Sequence, residues 1–403
     1  MVNLTRFWTG AAQPADSLRY GRGKAAPDSA QARRPIVVWN ITRTCNLRCI
    51  HCYSDSGAKQ YPGELNWEQM QAVVDDLADY QIPSLLLSGG EPLVHPRFFD
   101  LVKYASDKGL KLTISTNGKL LSPDNAERLA AIGNVAYVGI SLDGIGDVYD
   151  HFRGKIGAFK AAVNGFRACE KAGLKTGLRL TLTRHNASSI DDILDFAEEQ
   201  EIQRVCFYHL VPAGRGVDLQ GLPPELARKA INTVLARIER WEKAGVTREI
   251  LTVAQPADGV YLYLRQRQEQ RGDAENSRQL LVWNGGEANS FGSGIANIDP
   301  VGNVHPDQFW QETILGNIKT QRFSYLWEER VGEAAHILPK LRSLASLSVA
   351  ERKENLNGRY ASCRHFDICG GGFRTRAATA AAGDIWSSDP GCYLTDEEIL
   401  ECV

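Results

Sequence analysis

Apolar residues recur in short runs at 36–41, 84–88, 111–115, 135–141, 177–182 and 204–210. Between the runs, near 66–80, 96–108, 123–132, 157–172 and 188–200, they fall three and four positions apart. The runs have the length of strands, and the intervening spacing predicts amphipathic helices. Asn66 before Trp67-Glu68-Gln69 predicts a helix cap, and Gly109 and Gly173 predict helix ends. Six strand–helix units without a hairpin signal predict parallel strands joined by right-handed crossovers. Eight such units close a barrel; six predict an α/β fold built as an open, partial (β/α)6 TIM-like barrel over residues 35–225.

On either side the pattern changes. Residues 1–34, rich in Gly, Ala, Pro, Gln and Arg without sustained period, predict an irregular N-terminal arm. A helix is expected from about Pro223 to Ala244, and residues 226–282, with little period after 245, are assigned as a helical bridge. From Trp283 glycine recurs. The segment Ile295 to His305 reads as two strands around a turn at Asp299–Asn303, and helix is expected again near 323–345. Residues 283–403 form the expected C-terminal domain.

Composition narrows the class. A chain of 403 residues, 43% apolar and 23% charged, is that of a globular protein with room for two domains. A net charge of −2 gives no reason to expect nucleic acid or an acidic membrane surface as partner. No apolar stretch approaches bilayer-spanning length, and no export signal is read at the N-terminus, so a cytoplasmic location is expected.

Nine cysteines then carry the chemistry. In a reducing compartment, clustered thiols are metal ligands or catalytic groups more often than disulfides. Cys169 and Cys206 lie in helix-like and strand-like runs and are expected to be inert, and Cys402 incidental. Cys45, Cys49 and Cys52 are different. They are spaced C-x3-C-x2-C directly after the first apolar run, with no fourth cysteine in the same loop. Structural zinc asks for four protein ligands, whereas a cubane [4Fe–4S] cluster held by three thiolates keeps one iron open.

That signature, with His51 before the last thiol and Gly89-Gly90-Glu91-Pro92 after the second strand, resembles the radical S-adenosylmethionine (SAM) superfamily across residues 35–225. The resemblance implies that Cys45, Cys49 and Cys52 are the catalytic cluster ligands and that SAM binds the open iron. An electron from the cluster then releases a 5′-deoxyadenosyl radical that takes hydrogen from the substrate. It further implies that Gly89, Gly90, Glu91 and Pro92 face the methionine end of SAM, with Glu91 holding its ammonium. Ser115 and Asn117 end the third strand; Ser141 and Asp143 end the fourth and would contact the ribose or methionine end. Arg153 would meet the carboxylate, and Asn186 and Leu210 the ribose and adenine. His51 would stack on adenine or pack beside the cluster.

A second group, Cys363, Cys369 and Cys392, resembles the C-terminal SPASM/twitch-like auxiliary iron–sulfur domain of the same superfamily. The fuller pattern begins with another cysteine where this chain has Tyr360, and Pro306-Asp307 stand where related domains often supply one more. A second [4Fe–4S] cluster with an open or non-cysteine fourth position is therefore expected. Alternatives are a domain that has lost its cluster and a zinc site using His365.

The runs Val38–Cys45, Asn297–Asp299, His305–Trp310 and Cys369–Ala377 resemble the tetrapyrrole-modifying branch, most closely the NirJ family of heme d1 biosynthesis. That implies removal of two propionates from 12,18-didecarboxysiroheme, with a flavodoxin or ferredoxin-type reductant. A related heme-pathway family removes acetates instead. Arg215, Arg359, Arg364, Arg374 and Arg376 are candidate cations for the substrate carboxylates. Two other readings use the same motifs: a peptide-modifying enzyme, and an iron–sulfur carrier, which has no need of Gly89-Gly90-Glu91-Pro92.

Overall fold

The computed structural model describes residues 1–12, 16, 34–282, 292–328, 332–344 and 347–400. The six apolar runs fold as β2 (Ile36–Asn40), β3 (Leu85–Ser88), β4 (Leu112–Thr116), β5 (Val135–Ser141), β6 (Thr176–Leu182) and β7 (Arg204–His209). All pair in parallel in chain order. Side chains alternate across each strand. One face, with Trp39, Leu85, Leu87, Ile114, Ile140 and Phe207 at 0–1% exposure, packs on the helices. The other carries Ser88, Ser115, Tyr137, Ser141, Arg179 and Tyr208 into the concave interior. The outer face is apolar and the inner one mixed, with Val38, Leu86 and Leu251 beside these polar side chains, which makes the open barrel a vessel for a ligand.

The helices follow the expected signals. Asn66 caps Trp67–Asp79 through a reciprocal capping box with Gln69 (2.9 and 3.0 Å). Met70, Val73, Val74 and Leu77 bury one stripe of that helix, each contributing about 1.5–3 kcal/mol relative to exposure. Gly109 and Gly173 follow the ends of Phe98–Asp107 and Ala158–Lys171 with φ of +82° and +72°.

Two expectations fail at the flanks. Residues 2–9 are not irregular: β1 (Val2–Asn3) pairs antiparallel with β8 (Glu249–Val253), and Leu4–Thr9 is a helix. Asn3 caps this helix, Thr5 donates to the Arg248 carbonyl (2.7 Å), and Leu4, Phe7 and Trp8 are buried. Six helical residues are too few to show a period. The remainder of the expected arm, 13–15 and 17–33, lies outside the described residues.

The bridge also contains more than helix, because β8 joins β7 as a seventh parallel strand of the barrel. Its first residue, Glu249, is charged and is met by Arg204 and by the Asn3 side-chain amide (3.4 Å).

The expected hairpin is present as β9 (Ile295–Ile298) and β10 (Asn303–His305), followed by β11 (Gly316–Asn317). It does not stand apart from the barrel. β9 lies parallel to β2, giving one sheet of order β1-β8-β7-β6-β5-β4-β3-β2-β9-β10-β11 that runs across the expected boundary at 282. Helix near 323–345 is divided into Phe323–Trp327 and Ala334–Ser343. Among the described residues no helix is long and apolar enough to cross a membrane.

Candidate active site

The loop after β2 carries Cys45, Cys49 and Cys52 to the C-terminal end of the strands, where all three line one cavity. The loop folds back through Cys45 N–H to the Gly57 carbonyl (2.9 Å). Arg215 pins it from the far side, donating from Nε to the Cys49 carbonyl (2.8 Å) and from Nη1 to Asp55 (2.6 Å). Arg215 therefore holds the loop, and its Nη2 is left buried without a hydrogen-bond partner beside the cavity.

The sulfurs are surrounded by donors: Leu47 N–H on Cys45 (3.4 Å), Ser56 N–H on Cys52 (3.4 Å) and Arg153 Nη1 on Cys49 (3.2 Å). Donors of this kind suit thiolates that share charge with iron. Burial pushes the Cys45 thiol up to about 12, and raises Cys49 against the lowering effect of Arg153. Such thiols keep their protons at neutral pH until a metal displaces them. Among the described residues no three His, Cys, Asp or Glu converge tightly enough for a single metal ion.

Gly89 and Gly90 also line the cavity, and their small size has a second cause. A Cβ on Gly89 would lie 2.4 Å from the Thr42 carbonyl oxygen, and one on Gly90 would lie 2.4 Å from that of Thr44. Gly90 N–H bonds Thr42 O (2.7 Å) and Glu91 N–H bonds Thr44 O (3.0 Å), so the end of β3 is stapled to the cysteine loop. Glu91 does not face the cavity. It is fully buried and accepts from Thr116 Oγ1 (2.7 Å), Asn117 N–H (2.8 Å) and Leu93 N–H (3.2 Å). These donors occupy the carboxylate expected to hold an ammonium, and burial pushes its pKa up to about 7. Pro92 opens a short 3-10 turn, buried and outside the cavity lining.

At the end of β5, Asp143 is clamped between Arg153 and the Thr181 N–H (2.7 Å), with His51 Nε2 at 3.8 Å. Arg153 thus joins Asp143 to Cys49 and leaves its buried Nε without a partner. His51 packs on Phe152 (centroids 4.7 Å apart), and burial lowers its pKa to about 4, which keeps the ring neutral. Ser115, Asn117, Ser141 and Leu210 line the same space. Asn186 does not. It is buried, bonded to Asp143 O (3.0 Å), Thr181 O (2.8 Å) and Thr183 N–H (2.8 Å), and positions the loops instead of meeting a ribose.

The sequence reading missed several lining residues, namely Tyr53, Arg179, Tyr208, Gln308 and Phe309. The alternation of Arg179 with Leu178 and Leu180 is the signal that marks it as inward-facing.

In the C-terminal segment, Cys363 and Cys369 are buried and Cys392 half-buried; burial raises the pKa of all three, and neighbouring thiols raise Cys363 (through Cys392) and Cys369 (through Cys363 and Cys392) further. Tyr360 is buried beside them and donates to Asp389 O (3.0 Å). Arg374, which feels the charge of Cys369, spends Nη1 on the Ile385 and Ser387 carbonyls and leaves buried Nε and Nη2 unpaired. Unpaired donors beside three gathered thiols fit a sulfide-bearing group. The other tail cations are engaged by the protein: Arg376 with Asp389 (2.6 and 2.7 Å), Arg359 with Asp396 (3.0 Å) and Arg364 with the Glu398 carbonyl (3.1 Å). Cys169 and Cys206 are buried as expected; Cys402 lies outside the described residues.

The radical SAM superfamily pattern matches residues 39–197. Over 99% of each chain, the sequence is 39% identical to the Fe-coproporphyrin III synthase of Methanosarcina barkeri. It is also 39% identical to the pre-heme d1 synthase of Dinoroseobacter shibae, over 91% of this chain and 87% of that one. Among solved structures, Streptococcus suis SuiB bound to S-adenosylmethionine superposes with a TM-score of 0.67 over 90% of this chain and 78% of SuiB. At 16% identity that likeness shows the fold.

Proposed function

Because the chain belongs to the tetrapyrrole-modifying branch of the radical SAM superfamily, whose members use a [4Fe–4S] cluster and SAM, we propose that it removes carboxylate-bearing side chains from a siroheme-type iron macrocycle. The observation that carries the reading is the convergence, in one cavity at the barrel mouth, of three donor-wrapped thiols with Gly89, Gly90 and the Asp143–Arg153 pair. Cys45, Cys49 and Cys52 would hold the cluster. When bound, the cluster and SAM supply the one-electron cleavage whose organic product takes hydrogen from a substrate side chain. The chain's own residues orient and exclude. Arg153 fixes Asp143 and the Cys49 sulfur, the two glycines admit close backbone approach, and neutral His51, backed by Phe152, forms part of the wall.

Cys363, Cys369 and Cys392 are assigned to a second [4Fe–4S] cluster in a SPASM/twitch-like domain, supported by their mutual proximity and the unpaired Arg374 donors. A flavodoxin or ferredoxin-type protein is the proposed electron donor.

Two outcomes are open to one macrocycle, 12,18-didecarboxysiroheme. Acetate removal, leaving methyl groups, is favoured by the end-to-end match to the Fe-coproporphyrin III synthase. Propionate removal, the heme d1 outcome expected from sequence, has the support of equal identity over a shorter span. The deciding experiment incubates cluster-reconstituted protein with this macrocycle, SAM and dithionite without air and identifies the product by mass spectrometry. Fe-coproporphyrin III establishes the first outcome and a product lacking two propionates the second. An untouched macrocycle beside cleaved SAM would refute the tetrapyrrole reading in favour of another substrate, such as a peptide.

A further inference from the structure

Arg179 stands at the middle of β6 on the concave face, where the cavity at the mouth meets a larger one that runs through the barrel. The larger space extends to Cys369, Gly372 and Phe373 of the C-terminal segment, and Arg179, Tyr208 and Gln308 line both. The wall is shaped for this side chain. A Cβ on Gly139 would sit 2.5 Å from Arg179 Cδ, and one on Gly177, its neighbour across the strands, 2.2 Å from the Tyr137 hydroxyl. Glycine in mid-strand weakens a sheet, so two facing glycines mark a place where large polar side chains must lie flat against it.

The guanidinium is held by the Tyr208 hydroxyl and lies over that ring, 4.8 Å from its centroid. Elsewhere, Arg153, Arg204, Arg237 and Arg376 each meet a carboxylate. Arg179 meets none among the described residues, and none of its remaining nitrogens is both sealed from the cavity and unpartnered. Its free donors therefore face the open space. A guanidinium offers five donors in a planar fork that matches a carboxylate, and a site walled by protein strengthens that contact.

We propose that Arg179 is the anchor for a carboxylate of the substrate, gripping one acidic side chain of the macrocycle between the two cavities and so selecting which neighbouring side chain is presented to the cysteine loop. This rests on the tetrapyrrole reading and extends it to a named specificity-determining residue.

The test is an anaerobic spectral titration of 12,18-didecarboxysiroheme, and of its fully methyl-esterified form, into cluster-loaded wild type, Arg179→Met and Arg179→Lys. SAM affinity is measured on the same samples. The wild type is expected to prefer the acid. Arg179→Met should lose about 10- to 100-fold in affinity for the acid, the range of charge-assisted hydrogen bonds, and little for the ester, whose retained binding shows an intact site. Arg179→Lys, which keeps the charge without the fork, should retain part of the preference, and it carries the reading if the methionine variant binds neither form. An undiminished acid preference in both variants overturns the inference alone. So does a loss of SAM affinity equal to that for the acid, because Arg179 would then serve SAM. Failure of the wild type to bind either form overturns the tetrapyrrole reading and the anchor with it.

Discussion

Replacing Gly90 with alanine tests whether the cysteine loop is set by its contact with the end of β3. The new Cβ would lie 2.4 Å from Thr44 O, 2.6 Å from Arg43 O and 2.8 Å from Thr44 C, all inside the 3.0 Å that real Cβ contacts respect. These neighbours are backbone atoms and cannot rotate aside. Relief requires the loop to withdraw by about half an ångström or more, which strains the Gly90–Thr42 and Glu91–Thr44 hydrogen bonds. Overpacking costs about 1–3 kcal/mol and each lost hydrogen bond about 1 kcal/mol, so a destabilisation of about 2–4 kcal/mol is expected. The displaced segment carries Cys45, so bound iron should fall as well.

Urea unfolding followed by circular dichroism, with iron and sulfide content after anaerobic reconstitution, reads both effects. Gly221→Ala is the control: its Cβ would meet nothing within 4 Å, and its stability should stay within about 0.5 kcal/mol of wild type. Gly90→Ala with wild-type midpoint and iron content would falsify the close-approach argument.

Three further outcomes follow from the same geometry. Arg153→Met leaves Asp143 buried with the Thr181 N–H but no cation, and should cost about 3–5 kcal/mol in urea unfolding; Asp143→Leu in the same chain should recover part of it, and no recovery would point away from the ion pair. Burial raises the Glu91 pKa from 4.5 to about 7, so the folded chain holds a proton that the unfolded chain has released between those values. The contribution of Glu91 is therefore greatest at acid pH and declines as pH rises from about 4.5 to about 7. The urea midpoint of metal-free Glu91→Gln should accordingly gain on wild type across that window, and a pH-independent difference would contradict the assignment. Cys363→Ala should lose roughly half of the bound iron while the cluster on Cys45, Cys49 and Cys52 stays intact; unchanged iron would remove the second cluster.

What could be read from the sequence was what is local in the chain. β2–β7 showed as apolar runs because each strand buries an entire face on helices, and the Cys45–Cys52 loop showed because its spacing is contiguous. β8 was hidden because it is short and opens on the charged Glu249 directly after Arg248, and the partners that meet the Glu249 carboxylate, Arg204 and Asn3, come from elsewhere in the chain. The surroundings of Glu91 and Asn186 were not legible for a related reason. Both sit in the right loops, but partners from β4 and β6 turn their side chains beneath the floor of the site. The tail arginines read as free cations, yet Arg376 and Arg359 find carboxylates brought to them by tertiary approach. Arg179 lay unnoticed inside a strand, where a charge is unexpected unless the strand faces a cavity.

The position of β2 bears on how the chain emerges from the ribosome. This strand precedes the cysteine loop, yet its second neighbour, β9, pairs with it from 259 residues further on. At synthesis rates of about 5–20 residues per second, one edge of β2 stays uncovered for about 13–50 s, long enough for chaperone capture or mispairing with another nascent chain. Translation speed and iron delivery thus meet on one strand: inserting the inorganic group before β9 arrives would load a half-finished barrel, and waiting for it would leave three thiols open to oxidants.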